Sequence, residues 1–303
     1  MLVRNYFPFR EIVERNWKIF IATSGYAAFI SYLHTTKDLD MQQLLELPSY
    51  IPAVLGTSLA FFLGFITNSA YDRWWEARKK WGAIVNDSRN FGRQLLTFVD
   101  TSDPKTKSIV EKMVYRQIAW CYALKHQLRR QDTSASLQRI LGKKDMESLK
   151  KWSNQANALT FIQSDALNKL KADRKINLFQ TLQIERTMNA LMDHLGACER
   201  IKNTIFPTQY SFFVHGFIIV FLILIPHGTV SNMGYWSVLL TFGIGFVYLM
   251  IETIEISMHD PFDMEPSDTP MSAICRTIEI DLMQMAGAKK VPKPVTPVDG
   301  ILH

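Results

Sequence analysis

The residues whose types and spacing suggest a chemical role lie in one uncharged stretch of the chain, residues 50–71. Within it Thr57, Phe61 and Phe65 recur at four-residue intervals, which places them on one face of a helix. If several copies of this helix surround an axis, that face forms stacked apolar rings that narrow a water-filled path and gate it by dewetting. The same spacing is equally typical of one helix packed inside a monomer, so the pattern alone leaves both interpretations open.

A second stripe of small residues runs along the adjacent face of the same stretch. Gly56, Ala60 and Gly64 again recur every four residues. In lipid, small side chains at this spacing let neighbouring helix backbones approach closely. We therefore predict that this stripe packs against another helix.

The residue types needed for catalysis do not form any motif that we recognise. The seven histidines lack H-E-x-x-H spacing, and neither a G-x-S-x-G turn nor a Gly-rich phosphate loop occurs. The sequence therefore indicates a protein that is not an enzyme. His215 lies within an apolar stretch and is a functional candidate for that reason. We expect it to be neutral and hydrogen-bonded to a neighbouring helix.

Four acidic residues fall within nine positions and offer the only cluster of metal-binding type: Asp260, Asp263, Glu265 and Asp268. Carboxylates with backbone carbonyls suit Ca²⁺. The acids are interrupted by Met264 and Pro266, and the spacing is not that of an EF-hand loop. A solvated turn explains such a cluster more simply, so we expect no required cofactor.

The elements that position these residues follow from four apolar stretches, residues 17–33, 50–71, 210–225 and 235–251. A bilayer core is spanned by roughly 20 apolar residues, with about 17 as the short limit. The pattern predicts an all-α membrane protein with four transmembrane helices. The first two cover about 17–36 and 50–71, and the other two lie within 207–255.

Charge is distributed unevenly between these stretches. Residues 72–206 contain 25 Lys and Arg against 14 Asp and Glu, whereas residues 226–234 contain no Lys or Arg. The positive-inside rule explains this asymmetry without a nucleic-acid partner. We predict a multi-pass protein of the plasma (inner) membrane with both termini in the cytoplasm. Its four parts are residues 1–71, a helical cytoplasmic region 72–206, the membrane pair 207–255, and an acidic loop, helix and tail 256–303.

Three separated blocks resemble the bestrophins, and bacterial members in particular. The first is Leu63-Gly64-Phe65 followed by Arg73-Trp74-Trp75. The second is Cys198-Glu199-Arg200-Ile201-Lys202-Asn203-Thr204. The third begins at Asp260-Pro261-Phe262 and ends at Cys275-Arg276-Thr277-Ile278-Glu279. They occur in the family's order along the chain.

The resemblance implies a homopentamer with one central pore for monovalent ions. By position, the family's membrane neck falls on Thr57, Phe61 and Phe65, and its cytoplasmic aperture falls near Ile176. The resemblance favours an anion channel, named first as a chloride channel, with a cation-selective (sodium or potassium) channel as the alternative. A membrane-anchored interaction or signalling module is a further alternative. Eukaryotic members carry a run of consecutive acids after the fourth helix, and this chain departs from that run, so we expect conductance that does not depend on calcium.

Overall fold

A computed structural model describes residues 9–35, 39–204, 208–298 and 300–302. The regular structure of these residues is helical, apart from one isolated bridge between Val298 and Ile301, and this confirms the predicted all-α class. The helices are α1 (Phe9–Thr35), α2 (Leu39–Leu45), α3 (Tyr50–Phe98), α4 (Pro104–Leu128), α5 (Ser134–Ile140), α6 (Lys143–Leu149), α7 (Gln155–Ala172), α8 (Leu178–Asn203), α9 (Thr208–Met233), α10 (Trp236–Ser257) and α11 (Met271–Met285).

The chain divides into two compact units, and the division falls inside α3, after Arg73. The first, here called the apolar unit, comprises Tyr6–Arg73 and Ile205–His259. The second, here called the basic unit, contains Trp74–Thr204 and Asp260–His303. The predicted boundary between residues 206 and 207 lies outside the described residues.

The apolar unit is a bundle in which α1, α9 and α10 pack against one another. Its core also takes one face of α3, through Leu59, Leu63 and Ile66. Several polar side chains inside the bundle are hydrogen-bonded between helices, an arrangement that is favourable where hydrocarbon offers no other partner. For example, the hydroxyls of Ser31 and Ser237 lie 2.9 Å apart between α1 and α10.

Three of the described helices are long and apolar enough to cross a membrane, namely α3, α9 and α10. The predicted first span corresponds to α1, and its predicted end at residue 36 lies outside the described residues. The uncharged part of α1 includes Thr23, Ser24 and Ser31, which lower its hydropathy. A fourth transmembrane helix at α1 therefore stays a prediction.

Capping side chains set the starts of the main helices in the basic unit. Asp103 accepts a hydrogen bond from the Thr106 backbone N–H at 2.8 Å, and Pro104 follows at a position where no N–H is needed. Asn154 caps α7 in the same way, and Asn177 and Gln180 form a capping box at α8. Local sequence therefore determines where these helices begin.

The middle of α4 is the centre of the basic unit. Residues 117–125 are buried without interruption, because α7 packs on one side of α4 and α11 on another. A continuous buried run of this kind is typical of a helix surrounded by other helices.

A buried carboxylate, Glu279 of α11, joins three helices of the basic unit. It accepts hydrogen bonds from Tyr122 of α4 at 2.7 Å, from Arg139 of α5 at 2.5 Å and from Arg276 at 3.0 Å. Burial alone would raise the pKa of Glu279, but the hydrogen bonds from Arg139 and Tyr122 outweigh burial and lower the pKa. Glu279 is therefore a charged anchor between α4, α5 and α11.

Candidate functional site

The stripe predicted to line a pore lies on the face of α3 that its own chain leaves uncovered. Phe61 is 75% exposed and Phe65 is 65% exposed, and Thr57 is exposed as well. The Thr57 hydroxyl donates to the Ala53 carbonyl at 2.9 Å, so its one donor is used within the helix. The three residues therefore form one continuous, largely apolar surface that is open to whatever lies beside the protomer.

The stripe of small residues is divided by the structure into two parts. Gly56 is buried, and a Cβ atom added there would lie 2.8 Å from Cζ of Phe221 on α9. The Gly56 carbonyl also accepts a hydrogen bond from the Tyr248 hydroxyl at 3.0 Å. Gly56 therefore packs within its own chain.

Ala60 and Gly64 lie farther along the same stripe and are exposed. A Cβ atom added at Gly64 would meet nothing within 4 Å. Contact between copies of the chain through the small-residue stripe stays a prediction, and it now concerns these two positions only.

A polar cluster lies at the end of α10 in the apolar unit. His215 Nδ1 lies 2.9 Å from a carboxylate oxygen of Glu252 on α10, which confirms the predicted hydrogen bond to a neighbouring helix. Glu255 contacts His259 one turn away, and both glutamates are buried. Sequence reasoning did not identify Glu252 as the partner of His215, because the two residues lie 37 positions apart. The cluster gives α9 and α10 a polar contact inside an otherwise apolar packing surface.

The four acidic residues of the loop after α10 do not converge on one point. The Lys202 ammonium lies 2.5 Å from Asp260 and 2.8 Å from Asp263, and its side chain is 9% exposed. Lys202 therefore pairs with two of the acids from within the chain and offsets one of their two negative charges. Glu265 is exposed. Within the described residues, no group of three or more His, Cys, Asp and Glu has an arrangement suited to a metal ion.

The fourth acid, Asp268, is turned inward and is only 3% exposed. One carboxylate oxygen accepts from the Glu265 backbone N–H at 3.2 Å, while the other is buried without a protein partner. Burial raises the pKa of Asp268 to about 8. Asp268 is therefore held mainly as a neutral carboxyl at pH 7, a form that is a poor ligand for a hard cation.

The residue predicted near the cytoplasmic aperture, Ile176, is 6% exposed and belongs to the core of the basic unit. Its side chain is therefore largely covered within the protomer, and its place at an aperture stays a prediction. The exposed apolar side chains nearby belong to the first turns of α8: Leu178, Phe179 and Leu182. Sequence reasoning missed them, although Leu178 and Leu182 are one helical turn apart.

Residues 9–284 match the sequence model of a protein family described as "Bacterial/Fungal Bestrophin protein". A voltage-dependent anion channel-forming protein of Nostoc sp. is 30% identical over 269 residues, covering 89% of this chain and 86% of that protein. A protein of Escherichia coli with the same description is 30% identical over 245 residues, covering 81% of this chain and 79% of its own.

Solved structures agree with the fold. The crystal structure of a bacterial bestrophin homologue from Klebsiella pneumoniae superimposes with a TM-score of 0.79 at 26% sequence identity. The match covers 88% of this chain and 98% of that chain.

The two glycines of the small-residue stripe should respond differently to the same substitution. Gly64→Leu should leave the protomer folded, because nothing in the protomer opposes it, but should break the oligomer seen on a sizing column in detergent. Gly56→Leu should instead destabilise the protomer, by about 1–3 kcal/mol, because it forces Phe221 to move. An unchanged oligomer with Gly64→Leu would mean that copies meet elsewhere.

Asp268 should make stability depend on pH in a direction opposite to that of a paired carboxylate. Its folded pKa is raised, so between pH 3.8 and about pH 8 the unfolded chain ionises while the folded chain does not. Stability is therefore lost as pH rises through this range, by up to about 1.4 kcal/mol per pH unit. Asp268→Asn should remove that loss, so the melting temperature of the variant minus that of the parent should increase as pH increases.

The matched control for this measurement is Glu147→Gln, which alters an exposed acid of the basic unit that is not among the charges acting on Asp268. It should not flatten the pH profile. Parallel profiles for the parent and Asp268→Asn would contradict the assignment of a neutral carboxyl.

Proposed function

Because the chain belongs to the bestrophin family, we propose that it forms a homopentameric channel for monovalent ions in the plasma (inner) membrane, with anions such as chloride as the preferred ions. The relatives described as voltage-dependent anion channel-forming proteins support this choice. A cation-selective channel of the same architecture is the alternative, and the test below separates the two.

One observation carries the proposal, namely the open apolar face of α3. Thr57, Phe61 and Phe65 are exposed on the half of the helix that contains no charged residue. In a bilayer an exposed phenylalanine can face either lipid or neighbouring copies of the chain, and the small residues Ala60 and Gly64 beside this face favour neighbouring helices. When five copies surround an axis, the same three positions make stacked rings, and such rings control ion passage by excluding water.

The opposite face of α3 makes this orientation consistent with folding. Leu59, Leu63 and Ile66 are buried in the core of the apolar unit, so the helix cannot rotate without exposing them. Ala60 and Gly64 flank the phenylalanines and leave room for a neighbouring helix. The proposed neck therefore rests on two features of α3: one face is packed into the core of the apolar unit, and small residues flank the face that carries the phenylalanines.

We assign the second constriction to exposed residues of α8 instead of Ile176. Leu178 and Leu182 present apolar side chains one turn apart, and Phe179 lies between them. A ring built from five copies of Leu182 or Leu178 would restrict passage in the same manner as the neck.

Anion preference has a physical basis in the neck itself. The edges of phenylalanine rings carry partial positive charge, so rings that turn their edges toward the axis favour anions. Rings that present their faces would favour cations. The excess of 11 positive charges in residues 72–206 also raises the local anion concentration.

We further propose that calcium is not required and that both termini lie in the cytoplasm. Lys202 already supplies a cation to Asp260 and Asp263, and Asp268 is neutral near pH 7. The orientation rests on the Lys and Arg content of residues 72–206 against that of residues 226–234.

Planar bilayer recordings of the purified protein under a KCl gradient test the function directly. The current should reverse near the chloride equilibrium potential. In the same recordings, replacing both Phe61 and Phe65 with Ala should raise the single-channel conductance, because the narrowest apolar rings are removed. Reversal at the potassium equilibrium potential would favour the cation-selective alternative.

The matched control is Phe62→Ala, since Phe62 is exposed on the same helix but is not on the Thr57–Phe61–Phe65 face. Its conductance should equal that of the parent. Absence of any current from correctly folded oligomers would favour an interaction or signalling module instead of a channel.

Calcium dependence is tested by adding EGTA to the side facing the basic unit. The current should persist, and Asp263→Asn should leave the single-channel current unchanged, because this acid is paired with Lys202 and not with an ion. Closure by EGTA with recovery in micromolar Ca²⁺ would contradict the proposal.

A further inference from the structure

A cleft of about 530 Å³ lies in the basic unit between α4, α6 and α7. Its volume is within the range of small-molecule sites, roughly 300–1,000 Å³. Ile109 and Ile162 form part of its lining together with Ala166, and all three are at least partly buried. The cleft is therefore a concave depression with an apolar portion in a largely charged lining, and no residue of the proposed neck, aperture or acidic loop belongs to it.

Positively charged side chains converge on this depression. Lys112 of α4, Lys143 and Lys144 of α6, and Lys169 of α7 all line it and are exposed. They come from three different helices, so sequence proximity explains only one adjacent pair. Exposed like charges repel one another weakly in water, and an anion bound between them would remove that repulsion.

The acidic residues of the cleft are already paired. Asp145 receives both nitrogens of the Arg116 fork, at 3.1 and 2.8 Å, and this pair is mostly buried. It joins α6 to α4 and fixes one wall. Asp165 pairs with Lys169 at 2.5 Å, but both side chains are largely exposed, so this pair can exchange for another partner easily.

Three lysines remain available after this pairing. In the described part of the chain, no ion pair joins Lys112, Lys143 or Lys144 to an acidic group. Lysine ammonium groups are compact donors that commonly bind phosphate oxygens. Their number suits a ligand with more than one negative charge.

An exposed aromatic ring lies at the rim. Phe161 lines the cleft and is 63% exposed, and its ring centroid is 5.7 Å from that of Trp152. Exposed rings of this kind provide a stacking surface for flat heterocycles. The combination of lysines, an apolar floor and an aromatic rim distinguishes the cleft from a solvated basic face.

We propose that this cleft binds a soluble phosphorylated small molecule with a flat ring, of the nucleotide class. The phosphates contact Lys112, Lys143 and Lys144, and the ring stacks on Phe161. A nucleic-acid strand would need an extended groove, and the cleft is a single depression of small-molecule size.

Isothermal titration calorimetry of the full chain in detergent tests the proposal, with ADP, adenosine and pyrophosphate as probes. ADP should bind saturably and more tightly than either fragment. Replacing both Lys112 and Lys144 with Ala should weaken ADP binding by about tenfold or more. Phe161→Ala should weaken ADP binding by about fivefold but leave pyrophosphate binding unchanged, because only the ring contact is lost.

The matched control replaces Lys107 and Lys150 with Ala, since both are exposed lysines of the basic unit that do not line the cleft. It removes the same charge and should bind ADP like the parent. Melting temperatures equal to that of the parent establish that the variants are folded.

Three outcomes would overturn the proposal. The first is that ADP does not bind saturably. The second is that replacing Lys107 and Lys150 weakens ADP binding as much as replacing Lys112 and Lys144, which would indicate only a general attraction to positive charge. Alternatively, vesicles containing phosphatidic acid displace ADP while pyrophosphate does not, which would make the cleft a lipid-headgroup site.

Discussion

The packing of the apolar unit depends on which face of α3 is buried in its own chain and which face is left exposed. Gly56 allows the ring of Phe221 to lie against the α3 backbone, and Leu59 and Leu63 fill the core beside it. Because this contact fixes the rotation of the helix, Phe61 and Phe65 must point away from the protomer. In hydrocarbon no hydrophobic force separates lipid from leucine, so close packing at small residues is what holds such a rotation.

Buried charge follows a second constraint, which is that each carboxylate has a partner from the same chain or gives up its charge. Glu279 is surrounded by two arginines and a tyrosine, and Glu252 contacts His215. In the loop after α10, Lys202 serves two acids at once, whereas Asp268 has no cation beside it and is held neutral by burial. The loop is therefore held by internal pairing, and its acidic composition alone is a poor guide to metal binding.

Local signals in the sequence were sufficient for the apolar stretches and the positions of the stripe, but they did not show that α3 continues past residue 71 to Phe98. Partners across the fold were not accessible to them either. Capping residues such as Asp103 and Asn177 act within a few positions, so helix starts can be predicted. The burial of Ile176 depends on its packing in the basic-unit core, and the choice of Lys202 as the partner of Asp260 depends on a contact across 58 residues. Periodicity also could not distinguish Gly56 from Gly64, because both occupy one stripe and only the position of Phe221 separates them.

In residues 72–206, the number of Lys and Arg side chains and their positions in the fold carry different information. The positive-inside rule accounts for an excess of Lys and Arg, but it places no constraint on where those side chains lie within a folded unit. Arg139 and Lys202 are paired with acidic side chains of the same chain, which offset their positive charge. Lys112 and Lys144 line the same cleft from different helices without such partners. Membrane sorting therefore explains the number of cations, whereas the proposed anionic ligand concerns where some of them lie.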